Sequence, residues 1–415
     1  MSSLQLPDVI LERIFRMLSM DDWRSCEKTC RRFWVFFARI MWPRVKRLDI
    51  NKTLSKRFFV DEHRLNLNLL RYLFLKCVAL RSVSIDPLGK NKYHFQAVCW
   101  ISHSCLEQLC NICPLLTELC FRSCVFSSFY VFKYLQHLPP TLKALKVEWC
   151  RVDESGHDGT VDGAVSSILS CLHKLETFSL RGTCYGTCRM TDRSLERLPT
   201  SLKIIDLSEN FETRIANLNW SRFLSRLQEL HLERVSVTSH DLQCLCQSCP
   251  DLKSLTLAYA DQISDFSTIA VLRELRGLKL DGNRTHVIDD ALAKICNGCT
   301  RLVSLSLDCC CALTVSGIKN LAKLPQLEFL NLNSIRCVND ECLETICSSC
   351  THLSNLQIKY CKQLTIQGLL CLLKLSQLER VGLSGQDAVD AQLLDQLRSL
   401  RTLKCIETEN CQHLK

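Results

Sequence analysis

The sequence predicts an α/β fold of stacked units, each giving one short strand to a parallel sheet and a helical or irregular return behind it. Three observations predict it. The phrase L-x-x-L-x-L, with an occasional Ile, Val or Cys substituting, recurs nine times between residues 202 and 405 at a spacing of about 25 residues. Within each copy apolar residues alternate with polar ones, the pattern of a strand with one buried face. Between copies, stretches such as 290–299 and 339–350 space their apolar residues at helical intervals. One strand and one helix cannot enclose a core, so each unit has to stack on its neighbours.

The regular copies begin at Leu202, Leu227, Leu252, Leu275, Leu302, Leu327, Leu353, Leu378 and Leu400. Five less regular copies begin at Val45, Leu80, Leu116, Leu142 and Leu175, making 14 expected strands. The period lies in the range of leucine-rich repeats, so a curved solenoid with a concave parallel sheet and convex helices is expected over residues 46–415. Its repeats are irregular to about residue 200 and regular after it. Residues 153–163, DESGHDGTVDG, form the expected protruding loop. Their carboxylates lack the spacing of a calcium loop, which leaves a solvated loop as the expectation.

Residues 4–45 are compositionally separate. Leu6 to Val45 hold Phe15, Trp23, Phe33, Trp34, Phe36, Phe37 and Trp42, seven of the chain's 30 aromatics. Leu6-Pro7-Asp8 is a helix start, with Pro7 near the first helical position and Asp8 favourable to the helix dipole. Ile10, Leu11, Ile14, Phe15 and Leu18 recur on one helical face after it. Asp21 or Asp22 is the expected cap of a second helix carrying Trp23, Cys26 and Cys30, and residues 32–40 are the expected third. Three short helices bury too little surface to stand alone, so their excess apolar surface calls for a partner.

This segment resembles the F-box motif in Leu6-Pro7, Ile10, Ile14-Phe15, Leu18, Asp22, Cys30-Arg31-Arg32-Phe33 and Trp42, which follow the motif's order and spacing. It departs from the motif at Val9, Trp23 and Thr29. An F-box followed directly by leucine-rich repeats is similar to the substrate receptors of SCF-type cullin-RING ubiquitin ligases. That resemblance implies docking on the Skp adaptor, through it a cullin and RING subunit, and an unknown protein substrate held on the repeats. By the motif match Leu6, Pro7, Ile10, Ile14 and Leu18 are the expected adaptor contacts, an apolar helix face against a groove. The same helices also suit a cap closing the end of the array, a role compatible with docking. The alternative function is a non-catalytic scaffold or inhibitor acting outside ubiquitylation.

Net charge is +9, but residues 1–60 carry 13 Lys and Arg against 6 Asp and Glu, so the array is near neutral and no nucleic-acid track is expected on it. No membrane span is expected, because the most apolar window, 33–42, is short and contains Arg39. The N-terminus, MSSLQLPDVILERIF, has no basic stretch followed by an apolar core and cleavage site. The 29 cysteines are odd in number and fall mostly at repeat positions. Reduced thiols in a cytoplasmic or nuclear protein are therefore expected. Four CxxC pairs, Cys110/Cys113, Cys246/Cys249, Cys296/Cys299 and Cys347/Cys350, each precede a repeat phrase, which places them at successive helix ends rather than around zinc. Cys124, Cys150, Cys310, Cys361, Asn210 and Asn283 take the Asn/Cys position of the repeat, where a small side chain pairs with a neighbouring backbone.

Alternation puts Arg122, Glu148, Arg181, His231, Glu233, Asp308, Lys359 and Arg380 on the concave face, with Trp149, Tyr259 and Tyr360 one position farther along. Aromatic and arginine side chains favour protein interfaces, so these eleven are the expected substrate contacts. With 13 glycines there is no phosphate-cradling loop, and no G-x-S-x-G or H-E-x-x-H motif occurs. The expected protein is not an enzyme, needs no cofactor or metal, and contributes proximity to chemistry done elsewhere.

Overall fold

A computed structural model describes residues 6–52, 55–88, 98–153, 161–183, 190–195, 197–211, 213 and 226–411. The chain divides into two compact units, residues 1–202 and 203–415.

The first unit opens with a helical head: α1 (Asp8–Phe15), α2 (Met20–Glu27) and α3 (Arg31–Phe36), then a π turn over Phe37–Met41 and a 3-10 turn over Trp42–Arg44. Pro7 is the N-cap of α1. The cap of α2 is Ser19, not Asp21 or Asp22: its hydroxyl accepts from the Asp22 N–H while the Asp22 carboxylate accepts from the Ser19 N–H. Sequence alone favoured an aspartate cap because both aspartates stand beside the first apolar residue. The reciprocal pair leaves two fewer orphan donors, so the helix starts at Met20, ahead of either aspartate. Cys30, expected inside α2, instead caps α3.

Thirteen of the 14 phrases hold a strand where expected; the last, from Leu400, is out of register by three residues, since the final strand is Cys405–Glu407 and Ile406, not Leu403, pairs with Val381. In the first unit β1 (Arg47–Ile50), β2 (Ser82–Ile85), β4 (Glu118–Arg122), β6 (Ala144–Glu148) and β8 (Thr177–Ser179) pair in parallel. Their register aligns Leu48, Val83, Leu119, Leu145 and Phe178 in one buried row. Three shorter strands, β3 (Cys99–Ile101), β5 (Cys124–Phe126) and β7 (Arg151–Val152), form a second parallel sheet. The sequence reading contained no such sheet, since runs of two or three residues are too short for alternation to show. Helix α4 (Leu67–Lys76) occupies the first long return.

In the second unit the strands are β9 (Ile204–Asp206), β10 (Glu229–His231), β11 (Ser254–Thr256), β12 (Gly277–Lys279), β13 (Ser304–Ser306), β14 (Phe329–Asn331), β15 (Asn355–Gln357), β16 (Arg380–Gly382) and β17 (Cys405–Glu407). All pair in parallel, and Leu230, Leu255, Leu278, Leu305, Leu330, Leu356 and Val381 sit in register with 2% exposure or less. Helices such as Asp289–Gly298 and Asp340–Ser349 back them. The two units are thus leucine-rich-repeat stacks whose core is the row of inward side chains.

Two devices lock the stacks. After β4, β6 and each strand from β8 onward the chain passes through a left-handed residue: Ser123, Trp149 and Gly182 in the first unit, and Glu209, Arg234, Tyr259, Gly282, Cys309, Ser334, Tyr360, Gly385 and Asn410 in the second. Such φ values strain a non-glycine residue. Here the turn is held because the residue's N–H still reaches the next repeat's carbonyl, as from Trp149 to Arg181 (2.7 Å) and from Tyr259 to Asp281 (2.8 Å). The following side chain then hydrogen-bonds the previous repeat. Asn283 donates to Leu257 of the previous repeat and to Leu280 of its own (both 2.8 Å), Cys150 to Phe121 (3.5 Å), Cys310 to Leu280 (3.3 Å) and Cys361 to Leu332 (3.2 Å). This satisfies carbonyls that a helix or strand end would leave orphaned. Residues 154–160, most of the expected protruding loop, lie outside the described residues.

Candidate functional site

Two kinds of surface present themselves to a partner: the outer face of the head and the exposed face of the strands.

The head is built around aromatics. Phe15 packs against Phe33 (5.1 Å between ring centroids), Phe36 (5.7 Å) and Phe37 (4.7 Å), and Trp23 meets Trp42 edge-on at 5.4 Å. This cluster takes Leu11 and Phe15 inward from α1. Helical spacing then turns Ile10 and Ile14 outward, 45% and 42% exposed, and Leu18 in the turn after the helix is 38% exposed. Leu6 is half-buried, its carbonyl accepting from Arg32, and Pro7 is exposed at the helix start. Five expected adaptor contacts therefore lie on or next to one helix, with Ile10 and Ile14 on its body and Leu18 just past its end, all three apolar and open.

One carboxylate ties the head to the first repeat. Glu27 is 4% exposed and accepts from Trp42 Nε1 (3.1 Å), Tyr72 Oη (2.5 Å) and Lys76 Nζ (3.0 Å), the last two on α4. Burial alone would raise its pKa, but the three donors outweigh that and hold the carboxyl below its ordinary value. Sequence reading missed this site, because Glu27 and Tyr72 are 45 residues apart and each looks like an ordinary surface residue.

On the strands of the first unit, Arg122 pairs with Glu148 (3.0 Å from Nε) and Asp86 (3.4 Å), while Arg181 stacks on Trp149 at 5.7 Å. The Trp149 ring lies where a side chain at Gly182 would project, 2.4 Å from the place of a Cβ. On the second unit, His231 hydrogen-bonds Thr256 (2.9 Å), and Glu233 accepts from Lys279 (3.0 Å). Arg234 stands over Tyr259 (4.5 Å) and Phe211 (5.5 Å). Tyr259 and Tyr360 cover Gly282 and Gly385 in the same way that Trp149 covers Gly182. Asp308 is half-buried, and its N–H donates to Asp281 (2.9 Å). Lys359 pairs with Glu407, Tyr360 Oη accepts from Asn410 (3.3 Å), and Arg380 is exposed. Most of the charges that sequence marked as contacts are thus already paired across neighbouring repeats, which lowers what each one offers a partner. Between β11 and β14 the face sinks into a depression of about 370 Å³ lined by Ser254, Thr256, Gly277, Lys279, Asp281, Ser304, Ser306, Phe329 and Asn331. None of these was singled out from sequence. Its one legible signal was the glycine inside Leu275-Arg276-Gly277-Leu278.

Most of the described cysteines are buried among the repeats. Among the described residues every thiol is free, and no group of three or more His, Cys, Asp and Glu side chains is arranged to hold a metal. Burial pushes Cys246, Cys249, Cys296 and Cys299 up to about 12, so they are protonated thiols at neutral pH. Cys299 and Cys350 spend their Sγ on carbonyls of the preceding repeat, at 3.3 Å from Ile269 and 3.5 Å from Leu321. No helix among the described residues is long and apolar enough to cross a membrane.

Residues 3–46 match the F-box-like family. The helical head is an F-box-like domain. Over longer stretches the chain is 27% identical across 288 residues to a Caenorhabditis elegans protein named "Putative RNA-binding protein EEED8.10", covering 67% of this chain and 36% of that protein. It is 25% identical across 271 residues to F-box/LRR-repeat protein 4 of Bos taurus, covering 61% of this chain and 44% of that one. It is 39% identical across 87 residues to F-box protein FBX14 of Arabidopsis thaliana, covering 20% and 14%. The chain therefore spans less than half the length of these relatives. In fold it resembles an internalin, inlF, of Listeria monocytogenes, with 18% identity, 89% and 88% of the two chains covered and a TM-score of 0.51. It likewise resembles a chain of the yeast Rad7 and Elc1 complex, with 15% identity, 87% and 85% covered and a TM-score of 0.52.

Proposed function

We propose that this chain is the substrate-recognition subunit of an SCF-type ubiquitin ligase, docking on a Skp adaptor through its F-box-like domain, residues 4–45, and holding a protein substrate on the repeats of residues 46–415. The observation that carries the reading is the exposure of Ile10 and Ile14 on a helix of the F-box-like domain whose other face is buried, with Leu18 open just past its end, all three 38–45% exposed. An amphipathic helix with a second apolar face is suited to a hydrophobic groove. The adaptor would bring a cullin and RING subunit, and the ubiquitin chemistry would belong to those partners. This chain would act by proximity and orientation, not as an enzyme. A nucleic-acid track is disfavoured on the strand faces, because Arg122, Lys279 and Lys359 are held by carboxylates. Work in the cytoplasm or nucleus, where the adaptor would be met, is part of the same proposal.

The test is co-purification of a Skp adaptor and cullin with the intact chain and with an Ile10→Ala/Ile14→Ala variant of unchanged thermal unfolding. The expected result is recovery of both partners with the intact chain and a loss of roughly tenfold or more with the variant. Equal recovery by both proteins overturns the assigned contact face. Recovery by neither overturns the receptor reading in favour of a scaffold or inhibitor.

A further inference from the structure

In most repeats two residues stand between the cap that ends the returning helix and the phrase that holds the next strand, and the repeats supply their own comparison there. After the caps Cys249, Leu272, Cys299, Leu324, Cys350 and Leu375 in the second unit, and after Leu172 in the first, at least one of the two is polar or charged, as Asp251, Glu274 and Arg301 are. Three early repeats differ. Cys77, Cys113 and Leu138 cap α4, α5 (His103–Ile112) and the 3-10 turn Tyr134–His137, and the pairs after them are Val78-Ala79, Pro114-Leu115 and Pro139-Pro140. Val78 is 64% exposed, Leu115 is 49% exposed, and Pro140 is exposed as well. The three loops are neighbours, because the Thr117 N–H donates to the Arg81 carbonyl (2.8 Å) and the Thr141 hydroxyl to the Pro114 carbonyl (3.3 Å). The row continues onto the head: Lys76 Nζ, in the last turn of α4, lies 5.6 Å from the ring centroid of Trp34 on α3, and Trp34 and Leu75 are 54% and 57% exposed. Apolar side chains scattered singly are ordinary on a surface, whereas a run of them across two helices and three loops marks an interaction site.

The charges around the row are one-sided. Lys46 and Arg81 stand on its strand side, their backbones joined by the bond from the Arg81 N–H to the Lys46 carbonyl (2.8 Å). Arg71 lies one helical turn before Leu75, Arg31 one turn before Trp34, and Arg24 sits over the Tyr72 ring at 5.6 Å with Lys28 one turn after it. None of these six cations has an ion pair among the described residues. Lys76 is spent on Glu27 (3.0 Å) and Lys143 on Glu176 (2.8 Å). The other carboxylates of the head and β1 are engaged too: Asp8 with Arg32, Glu12 with Arg16 and Arg44, Asp21 with Arg57, Asp22 in the cap of α2 and Asp49 with Arg47. Only Glu107 on α5 and Glu118 at the start of β4 are left to set against the six, and the next repeat continues with His173 and Lys174.

We propose that the row from Trp34 through Val78 and Leu115 is a docking surface for an amphipathic helix of a partner protein whose apolar face is flanked by Asp and Glu. Neighbouring strands lie roughly 4.8 Å apart, so the loops that lead into them repeat their apolar side chains at nearly the 5–6 Å spacing of i and i+4 residues on a helix. Leucine-sized side chains of such a helix fit between Val78, Leu115 and Pro140, and its carboxylates meet Lys46 and Arg81 on one flank and Arg31 and Arg71 on the other. A bilayer is the poorer fit. Trp34 lies under the Lys76 ammonium, which is tied to the buried Glu27, so the ring cannot turn out to a lipid interface without breaking that pair. Docking here is separate from the α1 face and does not rest on the receptor reading.

The experiment titrates the full chain into three fluorescent helical peptides that share one leucine face and carry Glu, Gln or Lys on its flanks, with binding read by anisotropy at about 0.15 M salt. The Glu-flanked peptide binds roughly fivefold or more tighter than the Gln-flanked one, and the Lys-flanked one is weakest. Val78→Ser/Leu115→Ser weakens the Glu-flanked peptide about tenfold, and Arg31→Gln/Arg81→Gln brings the Glu to Gln ratio close to one, with the unfolding midpoint in place in both. Absence of binding, equal affinity for the three flanks, or an unchanged affinity in Val78→Ser/Leu115→Ser overturns the proposal. Vesicles of phosphatidylcholine and phosphatidylserine serve as the other arm: if they are bound through Val78 and Leu115 while the peptides are not, the surface belongs to a membrane and the proposal falls. The Ile10→Ala/Ile14→Ala variant keeps the peptide preference, so a failed receptor reading and a failed docking surface give different results.

Discussion

Helix α1 of the head and the helix Asp289–Gly298 of the repeats are both short and amphipathic, yet they are finished differently. In the repeat helix Ala291, Leu292, Ile295 and Cys296 are at most 2% exposed, and the outward positions carry the Asp290/Lys294 pair at 2.7 Å. In α1 the inward Leu11 and Phe15 are equally buried, but the outward Ile10 and Ile14 are apolar and open. A repeat helix is completed by the repeats on either side. The head helix is completed on one side only, and a contiguous exposed apolar strip on a folded domain marks an interaction site. The comparison separates residues that hold the molecule together from residues held ready for another one.

The sharpest way to break it is to invert the expected roles. Leu305→Ala removes a fully buried side chain from the row shared with Leu278 and Leu330, and should cost about 4 kcal/mol in urea unfolding while adaptor capture by the folded protein is unchanged. Next comes Glu27→Ala, which leaves Tyr72, Lys76 and Trp42 facing a buried hole and should cost about 3 kcal/mol. Hydrogen exchange should show α2 and α4 losing protection together. Because the folded Glu27 carboxyl sits below the ordinary value of 4.5, its stabilisation is present above that pH and lost as pH falls through the lower folded value. The stability gap between the native chain and Glu27→Gln should therefore be constant from pH 6 to 8 and shrink below about 4.5. The smallest effect belongs to Ile10→Ala/Ile14→Ala, which should move stability by less than about 0.5 kcal/mol per site in thermal unfolding. A loss of several kcal/mol there would mean that the strip is core after all, and the comparison would fail.

Legibility followed sequence distance. The repeat strands were readable because each places three inward side chains within six residues, and the period then repeats the message. The ladder of Cys124, Cys150, Asn283, Cys310 and Cys361 was readable for the same reason. The two faces of α1 were not legible: the sequence put Ile10, Leu11, Ile14 and Phe15 on one face, and only packing against the aromatic cluster takes Leu11 and Phe15 inward and leaves Ile10 and Ile14 open. The strand-face contacts were legible as positions but not as free groups. Arg122, Glu148, Glu233 and Lys359 alternate outward as expected, and only the neighbouring strands decide that each is already paired.

By itself the sequence determined the period, the inward row, the short helical head and the thiols that serve as small core residues, because those depend on alternation and spacing along one stretch of chain. The tertiary structure decided which polar groups meet: the three donors around Glu27, the aromatic rings over Gly182, Gly282 and Gly385, and the low ground at Gly277. Each of these joins residues about 15 to 49 positions apart. A polar group's free energy is set by whether a partner sits within about 3 Å, and no pattern along the chain carries that distance.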